Sequence, residues 1–151
     1  MNLLRSTALA ACALLLGGCG LDVMYADWRV DRLCKLDGGP KVFLTDSPPI
    51  EFLTTNRQLD LDSLSRATPE QSYYLTWESS QIALGDPEIR RTEVRLYRGR
   101  DKALLGTSVA YYRPQRVGVP TPFPKSHWCP EEGELVPLVK AVFALPQQVE
   151  R

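Results

Sequence analysis

Residues 88–112 read EIRRTEVRLYRGRDKALLGTSVAYY, and the reading of this stretch decides the fold. Val94 and Leu96 alternate with Glu93, Arg95 and Tyr97, so successive side chains stand on opposite faces of an extended chain. Arg98-Gly99-Arg100-Asp101 breaks the alternation with turn-forming residues, and ALLGTSVAYY then returns with β-branched and aromatic side chains. Two such runs about a short glycine-containing turn predict an antiparallel hairpin.

Working outward, residues 72–84 (SYYLTWESSQIAL) are rich in strand formers, with Tyr73, Leu75 and Trp77 on one face and Tyr74, Thr76 and Glu78 on the other. Three adjacent strands with one buried face make a stable sheet. KVFLT (41–45), bounded by Gly38-Gly39-Pro40 and Asp46-Ser47-Pro48-Pro49, predicts a further strand that residues 50–53 extend past a bend. Residues 56–68 predict a loop with one helical turn. Before the sheet, Asp27 is a helix N-cap for Val30, Leu33 and Cys34 at i, i+3, i+4 spacing, and Gly38 is the stop. After it, Leu135, Leu138, Val139, Val142 and Phe143 repeat at helical spacing with Pro137 in the first turn, a final strand being the alternative. The fold class is therefore α+β: a small antiparallel sheet of three to five strands whose buried face is covered by an N-terminal and a C-terminal helix. Val119-Pro120-Thr121-Pro122-Phe123-Pro124 favours an extended path clamped over the sheet, with Phe123 and Trp128 packed inward.

The amino terminus has a different logic. Arg5 precedes a nine-residue apolar run, residues 8–16, too short to span a bilayer, and the run closes on Leu14-Leu15-Leu16-Gly17-Gly18-Cys19. This resembles the lipobox of bacterial lipoproteins, with Leu16 in the large apolar position, Gly17 and Gly18 in the small ones and Cys19 as acceptor. The resemblance implies that residues 1–18 are a signal peptide and that Cys19 becomes the first residue, lipidated on sulfur and nitrogen. Each buried methylene adds roughly 0.8 kcal/mol, and two or more chains make the membrane anchor stable. Residues 19–26 would then be a short tether and 27–151 a single globular domain. Gly20, where an aspartate favours inner-membrane retention in that class, implies the periplasmic face of the outer membrane.

Removal of 18 residues from 151 leaves 133, enough for one compact domain. The 17 remaining basic and 18 acidic side chains give a formal charge of −1, which argues against a nucleic-acid partner and implies no anionic membrane surface by bulk charge. Twelve prolines and ten glycines argue for a turn-rich fold.

With Cys12 lost and Cys19 acylated, as the lipobox implies, only Cys34 and Cys129 remain. An oxidising periplasm makes one disulfide between them the expectation. Closing a loop near 95 residues is worth about 4 to 5 kcal/mol in the chain-entropy view. A redox pair lacks C-x-x-C spacing, and a zinc site lacks ligands beside the sole histidine, His127; no metal and no cofactor are expected. Gly106-Thr107-Ser108-Val109-Ala110 has the outline of a G-x-S-x-G elbow, but Ser108 falls within an alternating strand run rather than at a strand-to-helix turn. Asp60-Leu61-Asp62 lacks the glycine and terminal glutamate of an EF-hand loop, and a solvated loop is the expectation there. No catalytic residue is assigned, and the chain is not expected to be an enzyme.

One surface feature invites a contact role. Between residues 88 and 116 there are eight basic side chains against three acidic, an excess of five, among them Arg91, Arg95, Arg98 and Arg100. A sheet face or hairpin tip of that charge suits the phosphates of anionic lipid or an acidic envelope protein.

DWRVDRLCKLDGGPKVF, KALLGTSVAYYR and the proline-rich approach to SHWCP together resemble a family of small proteobacterial lipoproteins. In that family a first cysteine precedes a D-x-G-x-K-V strand, a K-L-L-G-x-S-V-x-Y strand follows, and a C-P pair lies near the end. This chain departs in placing Ala103 before the leucines. The resemblance implies fold and location, and brings no activity or cofactor. Two functional classes follow: a lipid-anchored binding or structural module of the cell envelope, and a periplasmic enzyme or enzyme inhibitor resembling the lysozyme inhibitors, for which the 114–125 loop is the candidate.

Overall fold

The hairpin stands where its alternation places it: β3 (Ile89–Arg98) and β4 (Leu104–Arg113) pair antiparallel, Val94 opposite Ser108 and Thr92 opposite Ala110. The computed structural model describes residues 2–55, 58–83, 87–115 and 125–143, with side chains from residue 20 onward apart from Ala83. β2 (Tyr73–Ala83) pairs with the outer edge of β3, Leu75 opposite Leu96 and Trp77 opposite Val94. The other edge of β4 is shared. β1 (Gly39–Val42) pairs with Gly106 to Val109, and β5 (His127–Cys129) with Tyr111 to Arg113. The result is an antiparallel sheet in the order β1-β4-β3-β2 with β5 beside β1 on β4.

β4 is the central strand and is buried along most of its length, which takes packing on both faces. On one face, α1 (Asn2–Asp37) lays Ala26 and Val30 against Val109 and Tyr111 of β4 and Ile89 of β3, with Leu33, Cys34 and Cys129 alongside. On the other, α3 (Leu135–Val142) joins α2 (Leu61–Ser65) and a 3₁₀ turn (Ile50–Phe52) over Leu75, Val94 and Leu96. The sequence predicts both terminal helices on a single buried face. Instead each takes its own face, because glycine at position 106 opens the second one. A Cβ there would lie 2.9 Å from Leu138 Cδ1 and 3.2 Å from Val142 Cγ2.

A bulge completes the core. Leu96 faces Gly106 and Tyr97 faces Leu104, so Leu105 is skipped in the ladder and fully buried. Its carbonyl accepts from the N–H groups of both Phe43 and Leu44, at 2.8 and 3.0 Å. That shared acceptor ends β1 at Val42 rather than at the expected position 45, and leaves Phe43 and Leu44 exposed. In residues 50–53, expected to prolong the strand, Ile50–Phe52 form the 3₁₀ turn and Leu53 bridges to Leu59.

Two further expectations are corrected at the ends. The predicted tether, residues 19–26, is helical, because Val23 and Ala26 continue the buried stripe of Val30 and are themselves 0% and 3% exposed. Asp27 is consequently interior to α1 and not its N-cap. Trp128, expected to pack inward, is 36% exposed because its ring stacks flat on Tyr112 at 4.1 Å between centroids, at the sheet edge. Phe123 and most of the 114–125 loop lie outside the described residues. The expected disulfide is present: Cys34 of α1 and Cys129 of β5 are bonded, 5.9 Å apart at Cα.

Candidate functional site

The register divides the basic cluster. Arg91 and Arg95 share a face with Tyr97, whereas Arg90 and Arg98 point to the opposite one. The face holding Arg91 and Arg95 is the one α1 covers only at its β4–β5 end, so the β2–β3 half meets solvent. There Glu78 and Glu93 stand directly opposite each other, a repulsive pairing. The arginines resolve it: Arg95 reaches Glu78 at 2.9 Å and Glu93 at 2.8 Å, and Arg91 reaches Glu93 at 2.9 Å and Asp37 of α1 at 3.6 Å. Partial burial pushes the Glu93 carboxyl up, but the hydrogen bonds from Arg91 and Arg95 outweigh it and hold the group below its ordinary range.

At the turn end of the same face, Tyr74 and Tyr97 stack across the strands at 5.1 Å, and the Lys102 ammonium lies 5.2 Å from the Tyr74 ring. Gly99 makes this end possible: a Cβ there would sit 1.8 Å from the Gln71 carbonyl oxygen. The surface is thus a flat array of tyrosine rings and arginines held in fixed geometry, rather than an unscreened cationic patch.

Arg98 and Arg113 serve the fold. Arg98 bridges Asp101 at 2.7 Å and Asp46 at 3.0 Å, tying the hairpin turn to the chain that follows β1. Arg100 sits in the turn itself, exposed. Arg113, which sequence reasoning merely counted among the cluster, is 2% exposed and locked to Asp27 of α1. No local pattern marks that pair, since 86 residues separate its members.

The other sequence-level candidates have structural roles. His127 Nε2 lies 2.8 Å from Asp31 Oδ1 and pins β5 to α1. Ser108 is in mid-β4, fully buried, its hydroxyl without a hydrogen-bond partner among the described residues, so no nucleophile elbow forms. Asp60 caps α2: its carboxylate accepts from the Ser63 N–H at 3.1 Å and the Ser63 hydroxyl at 2.6 Å. Among the described residues no cluster of three or more potential ligands stands ready for a metal ion.

An open hollow of about 360 Å³ lies between Trp128 and the entry to α3, lined by Glu131, Glu132, Gly133, Glu134 and Leu135. Glu134 is 8% exposed, and burial pushes its carboxyl up from the ordinary value.

Comparison with protein-family models, with curated proteins and with solved structures returns no match. Among the described residues no helix is long and apolar enough to cross a membrane.

Proposed function

We propose that this chain is a lipid-anchored protein of the bacterial cell envelope that acts by surface contact, with Cys19 as the acylated residue and the β2–β3 face as the contact surface. The observation that carries the reading is the Cys34–Cys129 disulfide, which fastens α1 to the sheet. Such a bridge belongs to an oxidising compartment, and it stands on the same helix that contains the lipobox-like LLGGC. Envelope location and lipid attachment are then one consistent arrangement.

The contact surface is chosen on chemistry. Tyrosine and arginine are the residue types that concentrate binding energy at protein interfaces, and both suit it best when little rotamer freedom remains to be lost. Tyr74 and Tyr97 are held by stacking, and Arg95 by two carboxylates. A protein partner bearing carboxylates would exchange places with Glu78, the most exposed acid of the array.

Mass spectrometry of the protein extracted from membranes tests the anchor directly, since the N-terminal peptide should begin at Cys19 and carry acyl mass. Copurification from detergent-solubilised envelopes tests the surface. A stoichiometric partner retained by the native chain and lost on Arg95→Glu or Tyr97→Ala supports it. Potent lysozyme inhibition that persists in both variants would overturn the assignment in favour of an inhibitor acting through the 114–125 loop.

A further inference from the structure

We infer that the outer face of α1 lies in the headgroup region of an anionic phospholipid bilayer, so that α1 forms the layer between the sheet and the membrane. The inference rests on the lipid-anchor reading above and deepens it. Leu21, Met24, Tyr25 and Trp28 follow one another at i, i+3, i+4, i+7, and each is more than half exposed: 65%, 55%, 59% and 52%. This stripe is the reverse of the buried one formed by Val23, Ala26 and Val30, of which Ala26 and Val30 pack against the sheet. The helix is therefore apolar on two opposite sides, and among the described residues only one of them has an occupant.

Charge says what suits the other. Arg32 and Lys35 extend the exposed stripe by one and two turns, and the Arg32 guanidinium lies 5.4 Å from the Trp28 ring. Three acids of the helix turn away from it: Asp27 to Arg113, Asp31 to His127, and Asp37 to Tyr111 and Arg91. Asp22, at the flank, accepts from the Val23 N–H. An apolar and aromatic stripe carrying cations, on a helix three of whose four acids are engaged by the sheet, is the pattern of an interfacial helix on anionic lipid. Tyr25 and Trp28, stacked at 5.7 Å, are the residue types that settle at headgroup depth.

Proximity completes the argument. Leu21 is two residues from Cys19, about 3 Å along a helix. With no flexible tether between anchor and body, acyl chains inserted at Cys19 bring the stripe onto the bilayer surface. The cost of holding it there has already been met by the disulfide and by the packing of Val23 and Ala26.

Depth-dependent fluorescence quenching tests this on the full mature protein. Trp77→Phe and Trp128→Phe leave Trp28 as the sole reporter, and the protein is reconstituted in phosphatidylethanolamine–phosphatidylglycerol vesicles carrying a shallow spin-labelled lipid. Trp28 should show a blue-shifted emission, strong quenching by the label, and loss of both in the Leu21→Glu/Met24→Glu variant. Intact mass under non-reducing conditions confirms that the Cys34–Cys129 bridge survives. Unquenched, solvent-like Trp28 in protein whose Cys19 carries acyl mass overturns the inference and leaves the anchor standing. A blue shift without lipid quenching, in particles of twice the mass, overturns it in favour of a second copy of the chain. Absence of acyl mass overturns the anchor reading; the stripe is then judged on whether the same vesicles, added from outside, quench Trp28, and failure to do so overturns it as well.

Discussion

Arg113, at the end of the central strand, donates from Nε to Asp27 Oδ1 at 2.5 Å and from Nη2 to Asp27 Oδ2 at 3.3 Å, a two-point bond between β4 and α1. The same guanidinium also donates to the backbone carbonyls of Pro114 and Lys125, at 3.3 and 2.9 Å. One buried cation thus gathers the first helix, the central strand and both ends of the 114–125 loop.

Asp27→Ala leaves that cation buried without its counter-charge. Removing one partner of a buried pair costs about 3 kcal/mol or more, whereas replacing the whole pair by apolar groups costs much less. Urea unfolding should show a large drop in midpoint for Asp27→Ala and a smaller one for the double variant Asp27→Leu/Arg113→Met. Equal losses would mean that the pair contributes only through packing.

Reduction of the Cys34–Cys129 bridge releases a loop with a sequence separation of 95. The chain-entropy model gives about 4 to 5 kcal/mol for such a loop. Dithiothreitol, or the Cys34→Ser/Cys129→Ser variant, should therefore lower the denaturation midpoint strongly, with α1 detaching first because the bridge reinforces the small apolar contact of Ala26 and Val30 and the Asp27, Asp31 and Asp37 bonds that tie it to the sheet. Hydrogen exchange along α1, faster than along β3 and β4 after reduction, is the reading that checks it.

Gly106→Ala places a methyl group 2.8 Å from the Lys41 carbonyl oxygen and 2.9 Å from Leu138 Cδ1. The first neighbour is backbone and cannot yield without disturbing the β1–β4 ladder. A loss of about 1 to 3 kcal/mol is expected, as for other overpacked cores, measured by thermal or chemical unfolding. Gly106→Ala with Leu138→Ala should recover little, because the Lys41 oxygen remains.

Acid should loosen the hairpin turn. The hydrogen bonds from Arg98, set against a weaker opposing effect of burial, hold Asp101 down to about 2 from an ordinary 3.8. At Asp46 burial pushes the carboxyl up, but the Ser47 N–H and Arg98 outweigh it, and the group also lies below its ordinary value. A carboxyl depressed in the folded state adds stability that is complete above the unfolded value near 3.8 and drains away as pH falls toward the folded one. Stability of the native chain should therefore fall more steeply from pH 4 to 2 than that of Arg98→Gln, in which both carboxyls return toward ordinary values. Parallel curves for the two proteins would refute the role given to Arg98.

Much of this molecule was legible from local pattern. The alternation in residues 72–84 and 88–112 fixes two strand faces without knowledge of any neighbour, since side-chain direction is a property of the extended backbone. The pairing of Cys34 with Cys129 followed from cysteine arithmetic once the lipobox resemblance removed two thiols, and the structure contains it. The candidate surface was less legible. Eight basic residues between 88 and 116 look like one patch in a linear reading, but strand alternation sends Arg90 and Arg98 to the face opposite Arg91 and Arg95. Each pairs with an acid two or three residues away, Glu88, Glu93 or Asp101, and the second acids that a linear reading cannot supply come from distant segments, Asp37 from α1 to Arg91, Asp46 from the chain after β1 to Arg98 and Glu78 from β2 to Arg95.

The sequence by itself determined strands β2, β3 and β4, the helical periods, the turn at Gly99 and the one bridge open to the two thiols that the lipobox resemblance leaves, because each depends on residues close along the chain or on simple counting. Tertiary structure alone decided which helix takes which face, where Leu105 bulges into the core, and that the segment before Asp27 is a rigid extension of α1. These are outcomes of volume and charge meeting across the fold: glycine at 106 leaves room for α3, buried Arg113 calls for an acid beside it, and Ala26 and Val30 find an apolar surface only once the sheet exists.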